Sequence, residues 1–410
     1  MSANLVRKKV LFVTPVAPWK LFGGTPAASR NLITVFSESV DMQVCCLRSD
    51  GPGPWPRQVH DATVLSGTIS GLSRKLKFFL DFSADSFAHR QFAKQTVRAR
   101  FAALLAGHRP EFVIFDHIYS SWLIHLIQDP AIRIGYIAHD DMVAFVDSLT
   151  PLRPPFAKRL RFAGLRRQYQ QLQTKVLRRA DFVLTMTPED ASRLRPATGG
   201  AVEVAPLFFD FPDFEREYPA DFRYLFVTGS FDTWEKQLGL TRFLNNVFAP
   251  LAARRPDFRL VIAGRISEQL RQQFPIGEPQ LRVVQSPSDA EMQELVRQAS
   301  AAVVLDLQSS GLKIKTMDFA AAGLPLASWP PGVEGTMLVP ETSCLRADTA
   351  EGFIAHLDRL STDPELRQRL GSSARTVVQE NFSRDAARAR LRDSQFYAAL
   401  AAAGALQTAS

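Results

Sequence analysis

Two histidines stand directly after short apolar runs. Phe112-Val113-Ile114-Phe115 leads into Asp116-His117, and Ile134-Gly135-Tyr136-Ile137-Ala138 leads into His139-Asp140-Asp141. An imidazole at the carboxyl end of a buried strand can hydrogen-bond a substrate or move a proton. The blander alternative is a satisfied structural histidine. His117, His139, Asp140 and Asp141 have no recognised metal-ligand spacing, so no metal site is expected. No G-x-S-x-G elbow occurs, which removes a Ser-His-Asp hydrolase.

Other residues suit the holding of an anion. Gly23-Gly24 follows the first apolar run and opens a helix. Paired glycines let backbone approach a ligand closely, although they serve equally as a plain turn. Phe226-Val227-Thr228-Gly229-Ser230 is followed by Lys236, either a mobile point charge for a diphosphate or an ordinary solvated lysine. The richest stretch runs from Leu305 to Pro325. A strand ends, Ser309-Ser310-Gly311 makes a turn, and a helix opens with Lys313 and Lys315. Its free N–H groups and positive dipole end form an anion cradle. Asp318 falls about two turns in, placed to hydrogen-bond vicinal ribose hydroxyls. A merely solvated basic helix fits less well, because Ile314, Met317 and Ala321 put one face in a core.

Such residues need strands and helices to carry them. Apolar strand candidates are 10–13, 42–46, 112–115, 134–138 and 182–186. After a proline-bearing connection at 206–219 the pattern restarts with 224–228, 259–263, 281–284, 302–305 and 324–328. Strands alternating with helices predict βαβ units, and unbroken apolar strands predict a parallel sheet covered on both faces. Two such sets predict two doubly wound α/β domains. Ligands of open parallel sheets bind beyond the strands' carboxyl ends, so a cleft between the domains is the expected site.

The chain has 410 residues, 46% hydrophobic and 22% charged, which excludes a disordered, collagenous or disulfide-stapled protein. Its 49 Lys+Arg against 41 Asp+Glu leave a formal charge of +8, favouring an anionic partner. Cys45-Cys46 and Cys344 offer neither a disulfide framework nor a zinc spacing, as suits a reducing cytoplasm. Neither a signal peptide nor a membrane-spanning helix is expected. Segments 74–80 and 153–179 carry bases among apolar residues. They suit an anionic membrane surface or, equally, a solvated Arg-rich helix. No nucleic-acid-binding motif is present, so nucleic acid is not expected as a partner.

Taken together, these segments resemble the GT-B glycosyltransferases, in particular the family 4 type of nucleotide-sugar-dependent retaining enzymes. The resemblance runs in order through Gly23-Gly24, His139, Ala180-Asp181-Phe182-Val183 with Thr187, Phe226 to Phe231, Leu260 to Arg265, and Gly311 to Pro325. It implies a GT-B fold with an N-terminal acceptor domain over 1–207, completed by a returning helix at 385–410, and a donor domain over 208–384. It implies transfer of a sugar from a nucleotide-diphosphate co-substrate with no other cofactor and no metal. The acceptor would be a glycan or a lipid-linked oligosaccharide. His139 and Asp140 would be the catalytic residues. Gly23, Gly24, Gly229, Ser230, Lys236, Arg265, Ser310, Gly311, Leu312, Lys313 and Asp318 would bind the donor. Ser310 stands where the family usually carries a glutamate, and Ser230 where it carries an arginine. Those two serines motivate the alternative of a catalytically silent GT-B protein that binds nucleotide or glycan or partners another transferase. An epimerase of the same architecture ranks last, since the second half holds only His356.

Overall fold

A computed structural model describes residues 7–19, 24–48, 61–66 and 94–401. Gly23 and the basic segment 74–80 therefore lie outside the described residues. Gly24 is the first residue of a helix. The chain forms two compact units. The first holds the chain up to Leu207, the tripeptide Ser310–Leu312 and the chain from Ala387 onward; the second holds Phe208–Ser309 and Lys313–Ala386.

In the first unit the strands are β1 (Lys9–Val16), β2 (Asp41–Arg48), β3 (Asp61–Ser66), β4 (Phe112–Asp116), β5 (Arg133–Ala138), β6 (Phe182–Thr185) and β7 (Ala201–Val204). They make a seven-stranded sheet in the order β3-β2-β1-β4-β5-β6-β7, parallel throughout. The helices are α1 (Gly24–Ser37), α2 (Lys94–His108), α3 (Ile118–Ser121), α4 (Met142–Leu149), α5 (Phe156–Arg179) and α6 (Pro188–Leu194).

The second unit has β8 (Leu225–Ser230), β9 (Leu260–Arg265), β10 (Leu281–Gln285), β11 (Ala301–Val304), β12 (Leu326–Ser328) and β13 (Leu345–Arg346). This six-stranded sheet is ordered β10-β9-β8-β11-β12-β13 and again parallel. Its helices include α7 (Trp234–Phe243), α8 (Asp289–Gln298), α9 (Ile314–Ala321), α10 (Ala350–Thr362) and α11 (Pro364–Phe382). The helices α12 (Arg384–Arg392) and α13 (Gln395–Ala401) follow.

The reason for this architecture is legible in the strands. β4, β6 and β11 are buried at every residue, as a sheet covered on both faces requires. The expected apolar runs all become strands, with ends moved by up to three residues. β3, β7 and β13 were absent from that expectation, and all three lie at or near sheet edges. An edge strand has no second neighbour to desolvate it, so its residues need not be uniformly apolar. β7 is accordingly half-buried throughout. In both sheets the strand order reverses in the middle, at β1/β4 and at β8/β11. Beyond the carboxyl ends of strands flanking such a switch point, an open parallel sheet leaves a crevice.

In the first unit Phe396 of α13 is fully buried. Its ring packs against Phe36, Phe112 and Phe182, with centroids 5.2, 6.5 and 5.7 Å away. Gly135 lies beneath it; a β-carbon there would stand 3.5 Å from the ring. Among the described residues, no helix is long and apolar enough to cross a membrane.

Candidate functional site

At the switch point of the first sheet, β4 ends on Asp116, whose side chain is wholly buried. One carboxylate oxygen accepts from the Ser29 hydroxyl at 2.6 Å. The other lies 2.6 Å from His139 Nε2, at the end of neighbouring β5. Burial pushes the Asp116 carboxyl up, but His139 and the hydroxyl of Ser29 outweigh it and hold the group below its ordinary range. Ionised Asp116 therefore receives a proton-bearing Nε2. His117, the next residue, is buried with φ 70, a region that favours glycine. Strain of this kind persists where surroundings over-determine it, commonly at functional sites. Here the Tyr119 amide donates to His117 Nδ1 at 3.3 Å, and the two rings stack at 4.6 Å. Burial, followed by the neighbouring His139, lowers the His117 pKa to about 3.

A second group in this unit gathers around Asp190, at the start of α6. Asp190 is wholly buried. Its carboxylate accepts from Thr187 Oγ1 at 2.8 Å, from the Ser310 hydroxyl at 3.1 Å, from the Gly311 amide at 3.0 Å and from Arg193. Ser310 also accepts from the Asp141 amide at 2.7 Å. Asp141 caps α4 by accepting from the amides of Val143 and Ala144. Gly311 has φ 70, and a β-carbon there would fall 2.2 Å from Asp140 Oδ1 and 2.9 Å from the His139 carbonyl. The first unit thus brings together His139, Asp140, Ser310 and Gly311. The Gly311 amide, expected to hold phosphate, donates to the Asp190 carboxylate in this structure. Leu312 beside it is buried.

The second unit carries its polar cluster at the β8/β11 switch point. β8 and β9 run side by side with Gly229 opposite Gly264 and Ser230 opposite Arg265. The Arg265 guanidinium reaches Ser230 Oγ at 2.8 Å and Asp232 at 2.7 Å. The guanidinium beside Ser230 thus comes from the neighbouring strand. Just past β11, Asp306 is buried, with Lys315 Nζ 3.4 Å from its carboxylate. Burial pushes Asp306 up, but Lys315, Lys313 and Lys236 prevail and hold it low. Lys236 is lowered, first by burial and then by Lys315. Lys315 Nζ also lies 3.6 Å from where a Gly229 β-carbon would stand. Gly229, Ser230, Arg265, Lys236 and Lys315 are therefore grouped. Lys313 is buried at the N-cap of α9, and Asp318 is exposed on that helix.

Asp116, Asp190, Asp306 and Lys315 were not singled out as site residues from sequence. Asp116 and Asp306 each follow an apolar run directly, as His139 does, and that position was the available signal. Lys315 was visible as one of the two lysines opening the helix after Gly311, whereas Asp190 had no such signal, because its partners Ser310 and Gly311 lie far away along the chain.

Residues 223–363 match the family model described as glycosyl transferases group 1. A curated relative, an uncharacterized 44.6 kDa protein in the cps region of Klebsiella pneumoniae, is 27% identical over 149 residues. That alignment takes in 35% of this chain and only 38% of the relative. Among solved structures, sucrose-phosphate synthase of Thermosynechococcus elongatus aligns with a TM-score of 0.75 at 17% identity, covering 96% of this chain and 99% of that one. HepE of Anabaena, solved in complex with UDP-glucose, aligns with a TM-score of 0.64 at 12% identity, covering 93% and 98%. The chain has the GT-B fold of such glycosyltransferases, and within it residues 223–363 are similar to the group 1 glycosyl transferases.

Proposed function

We propose that the protein moves a sugar from a nucleotide-diphosphate donor, with retention of anomeric configuration, to a lipid-linked oligosaccharide or surface polysaccharide. It works without a metal ion at the cytoplasmic face of the membrane. The observation that carries this reading is the cationic group of Lys236, Lys315 and Arg265 around Gly229 and Ser230. A departing diphosphate accumulates negative charge, and preorganised cations beside the opening of α9 stabilise it. UDP-glucose bound to the similarly folded HepE supports a nucleotide-sugar donor. His139 and Asp140 then act on the sugar, and Asp318 on the ribose.

A thermal-shift screen against UDP, GDP, ADP, CMP, dTDP and their sugar conjugates tests this. A ligand at a hundredfold excess over its Kd adds about 2.7 kcal/mol to the native state. A stabilising nucleotide series, followed by turnover of its sugar conjugate, is expected. Silence across all series refutes the donor reading. Lys315→Ala is expected to weaken the active nucleotide roughly tenfold to a hundredfold, the loss of a charge-assisted hydrogen bond.

Membrane docking rests on the start of α5. Phe156 and Leu160 are 73% and 62% exposed there, flanked by Lys158, Arg159 and Arg161. Apolar side chains among bases suit an anionic lipid surface. Cosedimentation with phosphatidylglycerol vesicles that Phe156→Asp/Leu160→Asp leaves unchanged would remove this element.

One observation favours a second reading, a catalytically silent nucleotide- or glycan-binding protein. The Ser310 hydroxyl and Gly311 amide are already engaged by Asp190. Consumption of a sugar nucleotide by the purified protein excludes it.

A further inference from the structure

We infer that Asp306 competes with an incoming nucleoside diphosphate for the ammonium of Lys315, and so keeps the hold on that anion weak enough for release. The inference rests on the donor reading for the class of its ligand. The competitor itself is built entirely from the second unit's own geometry.

The β11 run carries Asp306 inward. Ala301–Val304 forms the strand, Leu305 is still buried, and Asp306 follows it, buried as well. A carboxylate taken out of water there needs cations beside it, and lysines from two helices supply them. Lys315 comes from the first turn of α9 and Lys236 from the first turn of α7. The approach of α7 is close because residue 239 is glycine. A β-carbon there would fall 2.4 Å from the Leu305 carbonyl oxygen and 3.6 Å from the Leu307 side chain. The helix bearing Lys236 thus lies against the segment bearing Asp306. Burial pushes the Asp306 carboxyl up, but Lys315, Lys313 and Lys236 outweigh it and keep the group ionised.

The pairing with Lys315 is loose. Its Nζ stands 3.4 Å from Asp306 Oδ2, whereas a charge-assisted N–H···O bond closes to about 2.7–2.9 Å. The other carboxylate oxygen accepts from Gln308 Nε2 at 3.2 Å. The lysine side chain is 36% exposed and the aspartate side chain only 8%. One ammonium therefore faces a buried acid while remaining open to solvent, and its flexible four-carbon stem lets it turn without moving the helix. It also stands beside the end of β8, 3.6 Å from where a β-carbon of Gly229 would be.

Two anions then draw on one cation. A diphosphate held by Lys236, Lys315 and Arg265 takes N–H donors from the same ammonium that covers Asp306. Each shift of Lys315 toward phosphate uncovers the buried carboxylate, which is costly. The carboxylate also repels the diphosphate directly, across surroundings that screen charge poorly. Both effects loosen the anion. Breaking the bond to the sugar adds negative charge to the diphosphate, so the product is the species these cations grip hardest. A competing carboxylate therefore acts chiefly on product release.

The test compares the parent protein with Asp306→Asn and Asp306→Ser, two variants that remove the charge with different shapes. Calorimetric titration at pH 7 gives the Kd for UDP and for inorganic pyrophosphate, and stopped flow gives the rate at which UDP leaves. Each variant is expected to bind both probes about tenfold more tightly, the low end of what a close charge pair is worth. UDP is expected to leave more slowly in proportion.

A carboxylate that merely positions Lys315 predicts the opposite sign, weaker binding once it is removed. A folded variant that binds no more tightly than the parent, with whichever probe the parent takes, overturns the inference. So does the failure of both variants to fold, which makes Asp306 a fold element alone. The donor reading fails separately, if no nucleoside diphosphate binds any form of the protein. Pyrophosphate then decides: tighter binding by the variants supports the competition, and no binding by any form overturns it.

Discussion

Replacing Gly264 with alanine probes the floor of the second unit's cationic group. Gly264 has φ +137, which L side chains rarely adopt, and an added β-carbon would stand 1.9 Å from the carbonyl oxygen of Gly229 and 2.9 Å from its carbonyl carbon. Both contacts are to backbone, so no side chain can swing aside. Strands β8 and β9 must separate by about 1.5 Å to restore ordinary contact. Backbone strain costs about 1–3 kcal/mol, and each ladder or turn bond lost nearby costs about 0.5–1.5 kcal/mol. The bonds at risk include Phe231 N–H to Arg265 O and Ser286 N–H to Gly264 O. The expected loss is about 3–5 kcal/mol, which at roughly 2–4 °C per kcal/mol lowers the melting temperature by about 6–20 °C. Gly277→Ala is the control: nothing lies within 4 Å of its added carbon, so its effect stays within about 0.5 kcal/mol. Scanning calorimetry of both variants decides. If Gly264→Ala melts with Gly277→Ala, the close approach of the two strands is wrong, and with it the placement of Arg265 against Ser230.

Phe396→Ala should destabilise the first unit by about 3–5 kcal/mol, the usual loss for a buried phenylalanine; its three ring contacts vanish. The readout is urea unfolding together with earlier proteolysis after Arg392, and an unchanged midpoint contradicts the docking of α13. His117 gives a pH signature. The unfolded imidazole takes a proton below about pH 6.5, whereas the folded one resists until about 3. Stability is therefore fully present above pH 6.5 and is lost as pH falls through that window, at on the order of 1 kcal/mol per pH unit. His117→Gln should flatten the urea midpoint between pH 6.5 and 5; an unchanged slope refutes the buried neutral ring. All three thiols are buried, and burial raises each, Cys344 to about 12. A thiol reagent should label none of them in the native protein and all of them in urea, and fast native labelling contradicts this packing.

Much of the fold was legible because a strand covered on both faces has no choice of residue type. β1, β4, β5, β8, β9 and β11 had to be unbroken apolar runs, and each was visible as one. The edge strands β3 and β7 escaped because one side of each needs no neighbour. Residues just after those runs were where chemistry was sought, which is why His139 and Gly229 stood out along the chain, with Gly311 in the turn that follows a few residues later. Pairing was beyond reach. That Asp116 holds His139 and that Arg265 reaches Ser230 depend on which strands become neighbours and in what register, and that Asp190 takes the Gly311 amide depends on how distant segments pack together. A local pattern records whether a residue faces a core, because burial acts on each side chain separately. A hydrogen bond between residues a hundred positions apart is decided only when the sheet orders its strands, and there the tertiary structure had the last word.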